Sequence, residues 1–236
     1  MPGRIATGLL VALLAVSARP KSLGVPSDFS SISAALAKAQ KGDTVLVAEG
    51  LYRENVYLNP GVVLRSQVHL GARIDGRGRG AAVTLATDAT LIGFEVRNGT
   101  IGVLSKSAGG RVLMCRIVNN LESGLMCVGH LPEVRDNVIA FNKGSGIQGW
   151  DVRSTMSTVA HNTIAYNENH GIALGGNSDV VVENSIIAFN GQFGLKVDAE
   201  TVRTRLIGNN LFRNSAGSPP LQSENLSADP MFADPY

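Results

Sequence analysis

Lys196 and Asp198 stand two residues apart, a spacing that puts both side chains on one face of an extended strand. His170 precedes them, and Arg153 and Trp150 precede His170. Cation, base and acid are the three groups needed to remove a proton next to a carboxylate and expel a neighbouring oxygen. Lys196 or Arg153 would neutralise the carboxylate, His170 would take the proton and Tyr166 would return one. Each residue also has a plainer reading. Lys196–Asp198 suits a surface ion pair worth under about 1 kcal/mol, His170 a turn, and Tyr166 a wall or core position. Asp151, Asp179 and Asp198 recur at similar phases. They are candidate calcium ligands if turn lengths let carboxylates converge at about 2.3–2.6 Å. No Gly-x-Ser-x-Gly elbow or Walker sequence is present, and Asp75-Gly76-Arg77-Gly78-Arg79-Gly80 reads as a flexible turn.

The elements that position these residues follow from composition and period. The chain has 236 residues, 44% hydrophobic and 17% charged, which excludes disorder. Net charge is +2, so no strong basic field argues for nucleic acid. Two Cys cannot build a disulfide framework. Cys115 and Cys127 fall on inward phases, as free buried thiols or as a disulfide across one repeat.

An internal repeat is plain. Aligned on an apolar residue followed three positions later by Asn, the anchors are Ile117, Ile139, Ile164, Ile187 and Leu211, with Val96 one period earlier. Their mean spacing is about 23 residues. Gly followed by an aliphatic residue recurs at Gly124-Leu125, Gly146-Ile147, Gly171-Ile172 and Gly194-Leu195. Cys115, Asn137, Asn162, Ser185 and Asn209 hold the phase two before the anchors. A leucine-rich repeat has a similar period but requires Leu where this chain has mainly Asn, and a helical segment in each unit. The β-branched, Gly-rich remainder favours three short strands and three turns. That unit is one coil of a parallel β-helix, with the anchors stacked as an inward column. Asn137, Asn162 and Asn209 form a ladder of amides, with Ser185 and Cys115 as its weaker members. The Gly before each strand is expected to supply a positive φ.

The expected organisation is a signal peptide at 1–18, then one domain at 19–236. Arg4 and the apolar run Ile5–Val16 precede Val16-Ser17-Ala18, implying cleavage after Ala18 and export to a periplasmic or extracellular location. No later segment is apolar enough to span a bilayer. A helix cap occupies 28–41, with Asp28 or Ser30 as N-cap and Gly42 as its end. Thr44–Val47 is the first strand, less regular coils run over 44–96 and regular ones over 96–214. Residues 215–236 wrap over the last coil.

These coils resemble the right-handed parallel β-helix repeats of the pectin-lyase-like superfamily. Ile32-Ser33-Ala34-Ala35-Leu36, Gly42-Asp43-Thr44-Val45 and Gly50-Leu51-Tyr52-Arg53-Glu54 look like its helix cap and first coil. Asp229-Pro230-Met231-Phe232 resembles a motif near its last coils. The resemblance implies an all-β solenoid of eight or nine coils. It further implies a substrate groove along the strand after each Gly-aliphatic turn. Gln148, Trp150, Lys196 and Asp198 lie on that strand's outward positions, so Gln148, Trp150 and Asp198 are candidate binding residues. The implied function is binding or processing of an extended acidic polysaccharide, with β-elimination by Lys196, His170 and Arg153 as the chemistry and calcium as the conceivable cofactor. The rival is a non-catalytic envelope, adhesin-like or assembly scaffold that self-associates end to end.

Overall fold

The computed structural model describes residues 19–198, 203–217 and 224–233; the expected signal peptide lies outside them. Among the described residues, twenty-four short strands form three sheets in which every pairing between strands is parallel. A nine-stranded sheet runs from Ser22–Val25 through Thr44–Val47 and Glu133–Arg135 to Arg203–Ile207. An eight-stranded sheet runs from Gly50–Tyr52 through Val138–Ala140 and Thr163–Ala165 to Asn210–Phe212. A seven-stranded sheet runs from Val56–Leu58 through Leu125–Val128, Ile147–Trp150 and Ile172–Gly175 to Leu195–Val197. From Thr44–Val47 onward successive strands in the chain belong to successive sheets, so the backbone winds as about eight coils.

The anchors predicted from the period stack one above another. Val96, Ile117, Ile139, Ile164, Ile187 and Leu211 are consecutive partners in the eight-stranded sheet, and all are buried. Leu125, Ile147, Ile172 and Leu195 form a second column. The amide ladder forms too. The backbone N–H groups of Cys115, Asn137, Asn162, Ser185 and Asn209 each donate to the side chain of the next rung at 2.8–3.1 Å, and Asn225 closes the row. A second ladder, not read from the sequence as one, runs through Asn120, Asn142, Asn167, Asn190 and Asn214. All five residues are buried, and each amide also bonds a core carbonyl or the next amide.

Three expectations change. The Gly of each Gly-aliphatic pair does not take positive φ. Space is the reason for it: a Cβ on Gly146 would lie 2.5 Å from Ile164 Cγ2 and 2.7 Å from the Gly171 carbonyl. Left-handed backbone occurs instead just before the ladder rungs, at Asp136, Phe141, His161, Tyr166, Asn184 and Phe189, with φ of 47–59°. The first strand is Ser22–Val25, ahead of the expected one. The capping helix is one short turn, Ile32–Leu36, with Ser31 as N-cap accepting from the Ala34 N–H at 3.1 Å. Asp28 accepts instead from the Gly24 N–H. Ile32, Ala35 and Leu36 are buried over the open end of the core, as a solenoid cap requires.

The C-terminal stretch crosses the last coil and then turns back. Leu226 pairs with the backbone of Asn209 and Leu211. Phe232 then reaches Tyr166 and Phe189, at 6.0 Å between ring centroids in each case. Phe141, Tyr166 and Phe189 stack along successive coils at 5.3 and 5.1 Å, nearly parallel.

Candidate functional site

The outward face of the seven-stranded sheet carries the residues singled out for binding. Its register aligns Gln148, Ala173 and Lys196 in one column. Trp150 and Gly175 pair in the next column, and Asp198 continues past the last pair on Gly175's far side. Pleating puts both columns outward. Trp150 is 54% exposed, and its ring lies on Gly175, where an added Cβ would collide with it. Gln148 is exposed and accepts from Ser123 Oγ at 2.9 Å.

Lys196, Asp198 and His170 do come together. Lys196 Nζ lies 3.1 Å from Asp198 Oδ1 and 5.4 Å from the centroid of Phe193. Phe193 stacks on His170 at 5.8 Å. The Phe193 N–H donates to His170 Nδ1 at 3.2 Å, which assigns the remaining proton to Nε2. Burial, helped by the Lys196 charge and opposed by Asp198, pushes the His170 pKa below 6.5. The cluster therefore presents a neutral imidazole donor and a cation already paired with a carboxylate. The imidazole lone pair that a general base would use faces a backbone N–H. This differs from the proton-abstracting role read from residue types, and the cause is a contact with a backbone group that residue types do not reveal.

A pH prediction follows. The unfolded chain binds a proton at His170 more readily than the folded one, so stability from this group is complete above about 6.5 and falls as pH drops through the folded pKa. Unfolding midpoints of wild type and His170→Gln are expected to differ more at pH 7.5 than at pH 5. A gap independent of pH would show that His170 is unlinked.

Arg153 is described through its backbone alone, and its side chain lies outside the described part of the structure. Its backbone opens the strand Arg153–Ala160 in the nine-stranded sheet, in register with Asp179. Tyr166 is held in the aromatic row on the eight-stranded side. The three candidate calcium ligands also stay apart. Asp151 follows Trp150 and accepts from the Asn177 N–H at 2.9 Å. Asp179 belongs to the nine-stranded sheet, and Asp198 is paired with Lys196. The Trp150 and Asp198 rungs are two coils apart, about 10 Å. Among the described residues no three His, Cys, Asp or Glu side chains converge as a metal group. Cys115 and Cys127 are free thiols, and burial pushes each up to about 12.

Sequence reasoning passed over two clefts. One, of about 570 Å³, lies between Phe141, Tyr166 and Phe232 on the eight-stranded side. The other, of about 630 Å³, opens at the N-terminal end around Arg53 and Arg77. The clue to the second was the Arg-Gly alternation set aside as a flexible turn. That turn is pinned: Asn55 Nδ2 donates to the carbonyls of Arg79 and Ala81, both at 2.8 Å.

Stacked parallel coils, inward aliphatic columns and amide-laddered corners define a β-solenoid. The chain belongs to the family described as right handed beta helix region, which it matches over residues 79–225. A comparison with curated proteins finds no match. Among solved structures, an alginate lyase from Paenibacillus sp. str. FPU-7 is similar with a TM-score of 0.56 and 17% identity, over 83% of this chain and 77% of that one. The pectate lyase Pel9A gives 0.59 at 14% identity, over 84% of this chain and 64% of that one. The Agl-KA catalytic domain gives 0.51 at 14%, over 90% and 48% respectively. The chain thus spans less than two thirds of the last two. At such identities the likeness is one of fold. No helix of the described residues is long and apolar enough to cross a membrane.

Proposed function

We propose that this chain binds an extended polysaccharide along the face of the seven-stranded sheet. The observation that carries the reading is the exposed ring of Trp150, laid over Gly175 with Ala173 beside it. A large apolar surface is held open on the sheet face, with Val128 exposed on one side of it and no side chain at Gly175 on the other. Aromatic rings with one face free suit an amphipathic partner that offers both C–H and O–H groups, as a sugar ring does. Repetition of the same backbone at each coil suits a polymer of repeating units. Two similar folds are named as lyases of alginate and pectate, which are polysaccharides. Export, as residues 1–18 suggest, would place the chain where such polymers occur. The reading is one of binding: the paired Lys196 and the Nε2–H of His170 supply hydrogen-bond donors to hydroxyl groups, and neither is arranged as a base.

Trp150 is the chain's only tryptophan, so its emission reports on this face alone. Titration with soluble polysaccharides is expected to quench or blue-shift that emission. Trp150→Ala is expected to weaken binding, measured calorimetrically, by about tenfold. Unchanged affinity in that variant would remove this face from the reading. Its exposure makes the substitution compatible with folding.

A further inference from the structure

The N-terminal cleft of about 630 Å³ collects hydrogen-bond donors whose neighbouring acceptors are already occupied. It lies where the turn after Gly50–Tyr52 meets the capping helix and is lined by Ser30, Ser31, Arg53, Glu54, Asn55 and Arg77, among others. The Glu54 carboxylate faces the helix start, accepting from the N–H groups of Ile32 and Ser33 at 3.0 and 2.9 Å and from Ser33 Oγ at 2.6 Å. On the next coil Asp75 accepts from the Arg77 N–H at 3.0 Å and from Asn98 Nδ2 at 2.8 Å. Arg53 and Arg77 are exposed, and among the described residues neither guanidinium has a carboxylate oxygen within 4 Å; the Arg53 charge acts on Asp75 only from farther off, and Arg97 is the cation paired with that carboxylate, at 3.6 Å. Ser31 Oγ accepts from Ala34, which leaves its O–H to donate.

The charge along the chain points the same way. Residues 19–120 hold 13 Lys and Arg against 7 Asp and Glu, whereas residues 121–236 hold 7 against 12. Coils stack in chain order, so the half of the solenoid that holds the cleft is the more basic half. Such a field draws anions toward that half. It also disfavours an anionic chain near Lys196, whose charge Asp198 offsets.

We infer that this cleft is an anion site for the carboxylate or sulfate group of an acidic saccharide, distinct from the Trp150 face. Planar guanidinium groups pair two N–H donors with two oxygens of such a group. The saccharide part of this assignment rests on the polysaccharide reading above; the anion part does not. An acidic polymer would be held by its charges in the basic half, with further sugars free to run toward the tryptophan.

The test is calorimetric titration of the full chain with polygalacturonate and, separately, with sodium sulfate at matched ionic strength. Arg53→Gln/Arg77→Gln is expected to weaken polygalacturonate binding by at least about tenfold. Lys143→Gln/Arg205→Gln, which removes two exposed charges from the other half, is expected to leave it nearly unchanged. Equal losses in both pairs would reduce the effect to diffuse charge and overturn the site, as would full affinity in the Arg pair. If Trp150→Ala binds as wild type while the Arg pair fails, the sheet-face reading falls and the cleft stands. If sulfate binds wild type and not the Arg pair while no polymer binds, the saccharide assignment is overturned and the ligand is a free oxyanion.

Discussion

Replacing Asn162 by Ala is expected to lower stability by about 2–5 kcal/mol, a large share of the 5–15 kcal/mol that holds a domain folded. Asn162 is 2% exposed and sits in the middle of its ladder. Its Oδ1 accepts from the backbone N–H and the Nδ2 of Asn137, both at 3.0 Å. Its Nδ2 donates to the carbonyls of Val134 and Ala160 at 2.8 and 2.9 Å. Alanine leaves these groups without their partners where water does not reach, and each such group costs about 1–3 kcal/mol. The chain also contains its own control. Ser185 fills the next rung, accepting from the Asn162 N–H at 3.1 Å and donating to the Glu183 carbonyl at 2.9 Å. Asn162→Ser should therefore recover part of the loss. Equilibrium urea unfolding would read both, as shifts in midpoint at constant slope. Two variants within about 0.5 kcal/mol of wild type would show that the ladder is dispensable.

The second large effect is expected at Gly171. An alanine Cβ there would stand 2.5 Å from Ile187 Cγ2, 2.6 Å from the Gly194 carbonyl and 2.9 Å from Asn190 Nδ2. Core column, neighbouring backbone and ladder are struck at once, and none is the free end of a flexible side chain. Gly171→Ala is expected to cost about 3 kcal/mol, the upper part of the range for overpacking. Gly110→Ala provides the contrast. Its nearest neighbours would be 3.5 Å away and its φ lies outside the left-handed region. That change should leave the fold intact and stabilise it by about 0.5 kcal/mol through the unfolded chain. Thermal unfolding of the two variants side by side separates steric exclusion from a general cost of replacing glycine; equal effects would refute it.

Much of this architecture is legible in the chain because the coils from Ile74 to Leu211 repeat one inward position with nothing but an aliphatic residue. Ile139 and Ile164 announce the column, and Asn137 and Asn162 announce the corner. Other features are hidden for physical reasons. Ser22–Val25 shows no alternation, since Val25 is its one fully buried side chain. Asn142 and Asn167 served as alignment marks, but their role as rungs depends on the left-handed residues Phe141 and Tyr166 just before them, a conformation that aromatic side chains do not advertise. Phe232 covers that aromatic row from a distant part of the chain. At the site, strand alternation correctly put Lys196 with Asp198 and brought His170 near. The state of His170 depends on the Phe193 N–H, and the pinned Arg77 turn depends on Asn55, a coil away. Neither contact leaves a mark in local composition.

The two ladders keep one fixed separation. Cys115 and Asn120, Asn137 and Asn142, Asn162 and Asn167, Ser185 and Asn190, and Asn209 and Asn214 are each five positions apart, whereas the coils themselves differ in length. This segment acts as a ruler, and the differences in coil length fall in one span, from the seven-stranded to the nine-stranded sheet: Leu125 to Val134, Ile147 to Val159, Ile172 to Val182 and Leu195 to Leu206 are nine, twelve, ten and eleven positions. New loops can therefore be grafted around the Trp150 face, deepening a shallow surface into a walled one, while the ruler keeps each added coil in step with the last.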